Sequence, residues 1–135
     1  MTMRSLFVMA ACLVMLSCGL AENVVLADEA VAEFHERYNA AALDDMYDAA
    51  AAGIRQQQTR AEFAKAIGAI RDQLGLARGS QRTAFQTTAG SGGAFVQIEY
   101  QTEFEKGSAI EEFVWEVAQG KALLKGYTVT TQTLP

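Results

Sequence analysis

Residues 94–117 read AFVQIEYQTEFEKGSAIEEFVWEV. Ala94, Val96, Ile98, Tyr100, Thr102 and Phe104 alternate with Phe95, Gln97, Glu99, Gln101 and Glu103. A side-chain period of two is that of a strand with one face in a core and the other in water. Lys106-Gly107-Ser108 is a hairpin turn, after which Phe113, Trp115 and Val117 alternate with Glu112, Val114 and Glu116. Two amphipathic strands joined by so short a turn are antiparallel, and such a sheet needs cover on its apolar face alone.

Working outward, Gln119-Gly120-Lys121 turns the chain into a strand over residues 123–134, with Tyr127, Val129, Thr131 and Thr133 on one face. A weaker strand, Gln81 to Thr88, precedes Ala89 to Gly93, whose Gly-Ser-Gly-Gly is a flexible turn and not a phosphate loop. Before it the period becomes helical. Thr59-Arg60-Ala61-Glu62 is a capping box followed by Phe63, Ala66, Ile67, Ile70 and Leu74, and Gly75 ends that helix. Leu43, Met46, Tyr47 and Ala50 predict a helix from Leu43 to Ala52, ended by Gly53, with Asp44, Asp45 and Asp48 on its wet side. Ala30, Val31, Phe34 and Tyr38 predict another from Asp28. The expected fold is therefore α+β: about three N-terminal helices packed on a curved four-stranded antiparallel sheet.

The N-terminus carries an address. Residues 1–17 hold one charge, Arg4, and an uncharged apolar run from Leu6 to Leu16, the pattern of a secretory signal. As a helix that run spans only about 16 Å, roughly half of a bilayer core. Met15-Leu16-Ser17-Cys18-Gly19 resembles the lipobox of bacterial lipoproteins, which implies lipidation at Cys18 and a membrane anchor there. The expected organisation is a signal peptide over 1–17, a lipidated N-terminus and short tether over 18–27, and one domain over 28–135. The protein is then exported, periplasm-facing, and held on the outer membrane where the host has two, as Gly19 after the cysteine implies. The alternative is a soluble exported protein cleaved after Ala21 or Ala27.

Composition narrows the function classes. The 135 residues are half hydrophobic, with one proline, so they bury a core. Eleven Lys+Arg against sixteen Asp+Glu, a net charge of −5, remove the basic footprint that nucleic acid needs. One histidine and two cysteines do not make a His/Cys zinc site. Cys12 lies inside the apolar run and leaves with it, so the exported chain forms no internal disulfide.

Tyr38-Asn39-Ala40 before Leu43-Asp44-Asp45-Met46-Tyr47, then Thr59-Arg60-Ala61-Glu62-Phe63 before Leu74-Gly75, and the closing Lys125-Gly126-Tyr127-Thr128-Val129, resemble the nuclear-transport-factor-like, or cystatin-like, cone of small secreted bacterial proteins. The resemblance covers residues 28–135 and implies a pocket between helices and sheet. Phe34, Tyr38, Tyr47, Phe113, Trp115 and Tyr127 are the candidates to line it, although aromatic residues at these spacings are core first.

No catalytic constellation is legible. His35, the sole histidine, lies about 100° round the helix from Phe34, at a boundary or in solvent, with no partner indicated by spacing. Relatives with isomerase activity use a pocket aspartate, but Asp44, Asp45 and Asp48 belong to a solvated face. Glu99, Glu103, Glu112 and Glu116 form a strand ladder that Lys106, Lys121 and Lys125 relieve, so no metal is expected. Ser91 and Ser108 lack a nucleophile's partners. The expected function is an envelope lipoprotein that binds a small apolar ligand or a protein, without a cofactor. The alternatives are a small isomerase or hydrolase with a pocket acid, and an assembly protein that forms a homodimer through Phe95 and Val114 on the outer sheet face.

Overall fold

The computed structural model describes residues 12–132, with side-chain surroundings from Gly19 onward. The export segment lies outside them apart from the backbone of its last residues, as does the Cys18 side chain. Four helices, α1 (Cys12–Asn39), α2 (Leu43–Asp48), α3 (Ala52–Gln57) and α4 (Arg60–Leu74), precede four strands, β1 (Ala77–Gly90), β2 (Gly93–Phe104), β3 (Gly107–Ala118) and β4 (Lys121–Thr131). The strands form one antiparallel sheet in chain order. Among the described residues no helix is long and apolar enough to cross a membrane.

Period-two patterning places β2 and β3 as expected. Val96, Ile98, Tyr100, Thr102 and Phe104 are buried, and so are Ala109, Phe113 and Trp115 opposite them. The turn into β4 uses Gln119 and Gly120, both at positive φ (52° and 73°), the left-handed pair that matches the twist of a two-residue hairpin. Strand β4 then departs from simple alternation. Val114 faces Gly126 but Trp115 faces Leu124, so Lys125 is an extra residue in a bulge. The bulge brings both Leu124 and Tyr127 to the inner face, where alternation alone would have admitted one.

Two helical expectations are corrected. The helix expected over residues 43–52 is two short ones, α2 and α3, and Gly53 lies inside α3. The break at Ala49–Ala51 has a tertiary cause: the Ala51 amide donates to the Leu124 carbonyl at 2.8 Å, and Ala50 and Ala51 are buried. That bond also closes part of the free edge of β4. Residues 19–27, expected as an extended lead, continue α1, and the core begins within them, with Val24 and Ala27 buried. The third predicted helix, α4, keeps its capping box, with the Glu62 amide donating to Thr59 Oγ1 at 3.2 Å and the Thr59 amide to Glu62 Oε2 at 2.8 Å. Gly75 ends it at φ +76°.

Helix α1 crosses the inner face of the sheet. Ala27, Val31, Phe34 and Tyr38, three and four residues apart, press into the core against Ile98, Phe104 and Phe113. Helix α4 adds Phe63, Ile67 and Leu74, and α2 and α3 add Met46, Tyr47 and Ile54.

Candidate functional site

Two faces of α1 build two different environments. On one side Leu26, Ala30, Phe34 and Arg37, with Glu29 and Glu33, face the end of α2, the start of α3 and the β3–β4 hairpin. Between them lies an open groove of about 560 Å³, a volume that holds a small organic molecule. Phe34, Met46, Ala50, Trp115 and Leu124 give it an apolar lining, and Arg37, Arg55 and Lys121 share its borders with Glu29, Glu33 and Asp48. Arg37 is 3.8 Å from Glu33, so part of that charge is matched within the chain. Trp115 is only 4% exposed, and its indole N–H is buried with no acceptor among the described residues.

On the other side a polar seam fastens α1 to the sheet. Asp28, His35 and Asn39 lie on one stripe of the helix. The Tyr100 hydroxyl donates to Asp28, and Arg82 pairs with the same carboxylate at 2.5 Å. Asn39 makes two bonds to the backbone of Ala77, donating at 3.0 Å and accepting at 2.8 Å. Between these contacts sits Glu111, on β3 and fully buried. Thr102 donates to its Oε1 at 2.5 Å, the Tyr127 hydroxyl donates to Oε2 at 2.5 Å, and His35 Nε2 lies 2.7 Å from Oε1. A carboxylate accepts all three at once, with the imidazole proton assigned to Nε2. Burying such a charge is tolerable only with its lone pairs engaged in this way.

The cluster reaches neighbouring phenols. Burial first, and then the Glu111 charge, raise the pKa of Tyr38 to about 12, with Arg71 opposing. The same two causes, in the same order, push Tyr127 well above the ordinary tyrosine value. Burial and then its bond to Asp28 raise Tyr100 likewise. All three stay protonated at physiological pH, as hydrogen-bond donors.

Of the six predicted pocket aromatics, Phe34 and Trp115 line the groove. Tyr38, Phe113 and Tyr127 lie behind them in one aromatic cluster: Phe34 is 5.1 Å from Phe113 and 4.7 Å from Tyr127 between ring centroids, and Phe113 stacks on Trp115 at 5.7 Å. Tyr38 stacks on Phe34 and donates to the Gly75 carbonyl at 2.8 Å. Tyr47 belongs elsewhere, against Phe63 at 5.6 Å, with its hydroxyl donating to the Gln58 carbonyl. His35, expected at a boundary or in solvent with no partner indicated by spacing, is at a boundary with Glu111 as its partner. Of the strand acids singled out from the sequence, Glu99 accepts from Thr83, Glu103 from Ser108 and Glu112 from Thr128, all on the wet face. No group of three or more potential metal ligands is assembled among the described residues. Glu111 itself escaped the sequence reading, although its parity with Ala109, Phe113 and Trp115 marks it as the acid on the buried face.

Helices followed by an antiparallel meander, with a groove at the hairpin end and a sealed polar cluster behind it, define a small α+β domain built around one long N-terminal helix. A family model described as "Protein of unknown function (DUF4019)" matches residues 30–127, and the chain belongs to that family. No curated protein and no solved structure matches it.

Proposed function

We propose that this chain is an exported envelope lipoprotein, anchored at Cys18, whose groove binds a small amphipathic molecule without chemically changing it. The observation that carries the reading is the groove itself: an apolar lining of Phe34, Met46, Trp115 and Leu124 beneath borders of both charge signs. Such a lining takes an alkyl or ring body, and the mixed borders take a zwitterionic or dipolar head. Leu26, the first groove residue on α1, lies eight positions after Cys18, about 12 Å along a helix. An anchor at Cys18 therefore keeps the groove near the membrane surface, where amphiphiles are available. In this reading the domain is a cystatin-like cone, and the groove is its open end.

The geometry favours binding over catalysis. The buried acid, Glu111, has both oxygens engaged by Thr102, His35 and Tyr127 and is not among the groove's lining residues, while two of the acids that do border the groove, Glu33 and Asp48, are exposed and lie beside Arg37 and Arg60.

Trp115 is the sole tryptophan, so its fluorescence reports on the groove. Titration with dodecylphosphocholine below its micelle threshold is expected to shift and saturate that emission. Ala30→Phe, which fills the groove from α1, is expected to abolish the response, and an unresponsive wild type overturns the binding reading. A clickable fatty acid fed to the host is expected to label the wild type and not Cys18→Ser; an unlabelled wild type overturns the anchor.

A further inference from the structure

The two edges of the sheet are treated differently. At β4 the Leu124 carbonyl is capped by the Ala51 amide, and Lys121 and Lys125 guard the strand with charge. At β1 protection stops early. Asn39 covers Ala77, and Asp28 holds Arg82, just before the bulge between Arg82 and Ala84. Beyond that bulge residues 84–90, AFQTTAG, contain no charge and no proline. Among the described residues their backbone groups have no partner except β2. Phe85 is 54% exposed, on the same face as the buried Ile98 beside it. A neutral edge of this kind, with its outer backbone groups unpaired, is a template for another strand.

We propose that residues 84–88 of β1 pair antiparallel with the same residues of a second copy, joining two four-stranded sheets into one of eight. Pairing symmetric about Gln86 sets Phe85 opposite the partner's Thr87 and Ala84 opposite the partner's Thr88. Phe85 with Thr87 is the aromatic and β-branched combination that stabilises cross-strand neighbours, and it covers the exposed ring. No charge meets its like. An acidic chain repels itself over most of its surface, but β1 carries no acid in its 14 residues. The charges of β1 also argue against an acidic peptide as occupant: Arg78 is held by Glu105 at 3.0 Å and Arg82 by Asp28 at 2.5 Å, so neither is free to recruit one. The hairpin end that bears the groove is on the far side of the sheet from this edge, and both grooves stay open in the pair.

The test uses the full chain in its own envelope. In the proposed pair Gln86 faces its own counterpart, with Cβ atoms about 5 Å apart, so Gln86→Cys is expected to give an oxidant-induced covalent dimer mapped by mass spectrometry to position 86. Glu103→Cys, on the outer face of β2, is expected to give none. Thr87→Lys, a charge at a half-buried edge position, is expected to shift the detergent-purified protein from dimer to monomer in sedimentation while the Trp115 emission stays native. The proposal is overturned by a monomeric wild type at about 100 μM, by no linkage at position 86, by linkage there to a different protein, or by a Thr87→Lys dimer that sediments like the wild type.

Discussion

Glu111 is the residue on which the interior depends most. It sits at zero exposure among aromatic rings, and three donors from three different elements, His35 of α1, Thr102 of β2 and Tyr127 of β4, converge on it. Removing it leaves three donors, one buried and two half-buried, without their acceptor, as well as a cavity. Glu111→Ala is expected to lower the unfolding free energy by about 3–5 kcal/mol in urea denaturation. Glu111→Gln keeps the shape but turns two hydrogens toward existing donors, and is expected to cost about 2 kcal/mol. The phenols around the cluster predict the alkaline limit of the fold. For Tyr38 the folded pKa of about 12 lies above the ordinary value of 10.0, so its contribution is complete below pH 10 and is lost as pH rises toward 12. Tyr100 and Tyr127 shift in the same direction. Absorbance at 295 nm is therefore expected to show these tyrosines ionising together with loss of the far-ultraviolet dichroism, and not before it. Exposed pairs such as Arg60 with Asp48 belong to another class. The arginine bond, with its charge, lowers the Asp48 pKa, yet an ion pair in water adds little to stability.

At the scale of elements, helix ends and turns carry the most readable energetics. The α4 capping box satisfies amides that the helix geometry leaves free, and Thr59→Ala is expected to cost about 1 kcal/mol in thermal or urea melts. Gly75 is more demanding. Its φ of +76° is left-handed, and a Cβ there would stand 2.9 Å from the Glu105 Cβ, which is close to the backbone and cannot swing away. The same Glu105 accepts from the Leu76 amide, the first cause of its lowered pKa, so the α4–β1 corner is tied to the β2–β3 turn. Gly75→Ala is expected to destabilise by about 2 kcal/mol, against a change within about 0.5 kcal/mol for Gly79→Ala, which meets open space and an ordinary φ. Measuring both separates strain from the general effect of removing a glycine. The short α2 and α3 depend on context more than on propensity: six residues each are too few to be stable alone, and burial of Met46, Tyr47 and Ile54 holds them.

Across the whole molecule, protection is expected to fall from the sheet centre to its open edge. Strands β2 and β3 are paired on both sides and covered by α1, whereas residues 84–90 are paired on one side and exposed apart from the half-buried Thr87. Hydrogen exchange of dilute protein is expected to be slowest in residues 96–102 and 109–115 and fastest in the second half of β1. What the sequence determined by itself was whatever depends on near neighbours in the chain. Alternation along residues 94–117, the Thr59–Glu62 box, the glycine after Leu74 and the turn at Gln119–Gly120 are local physics, and each could be read residue by residue. The structure supports the coarse architecture they imply, helices followed by a four-stranded antiparallel sheet. Only the tertiary structure decided the split between α2 and α3, because the break is made by a bond to Leu124, far along the chain. It also decided which aromatics reach the groove and which are sealed behind it, since the Lys125 bulge turns Leu124 and Tyr127 inward together. Glu111 lies between these cases. Its parity put it on the buried face, but what makes burial of a charge tolerable there is a set of donors 9, 16 and 76 residues away, and contacts of that range are created only when the chain folds.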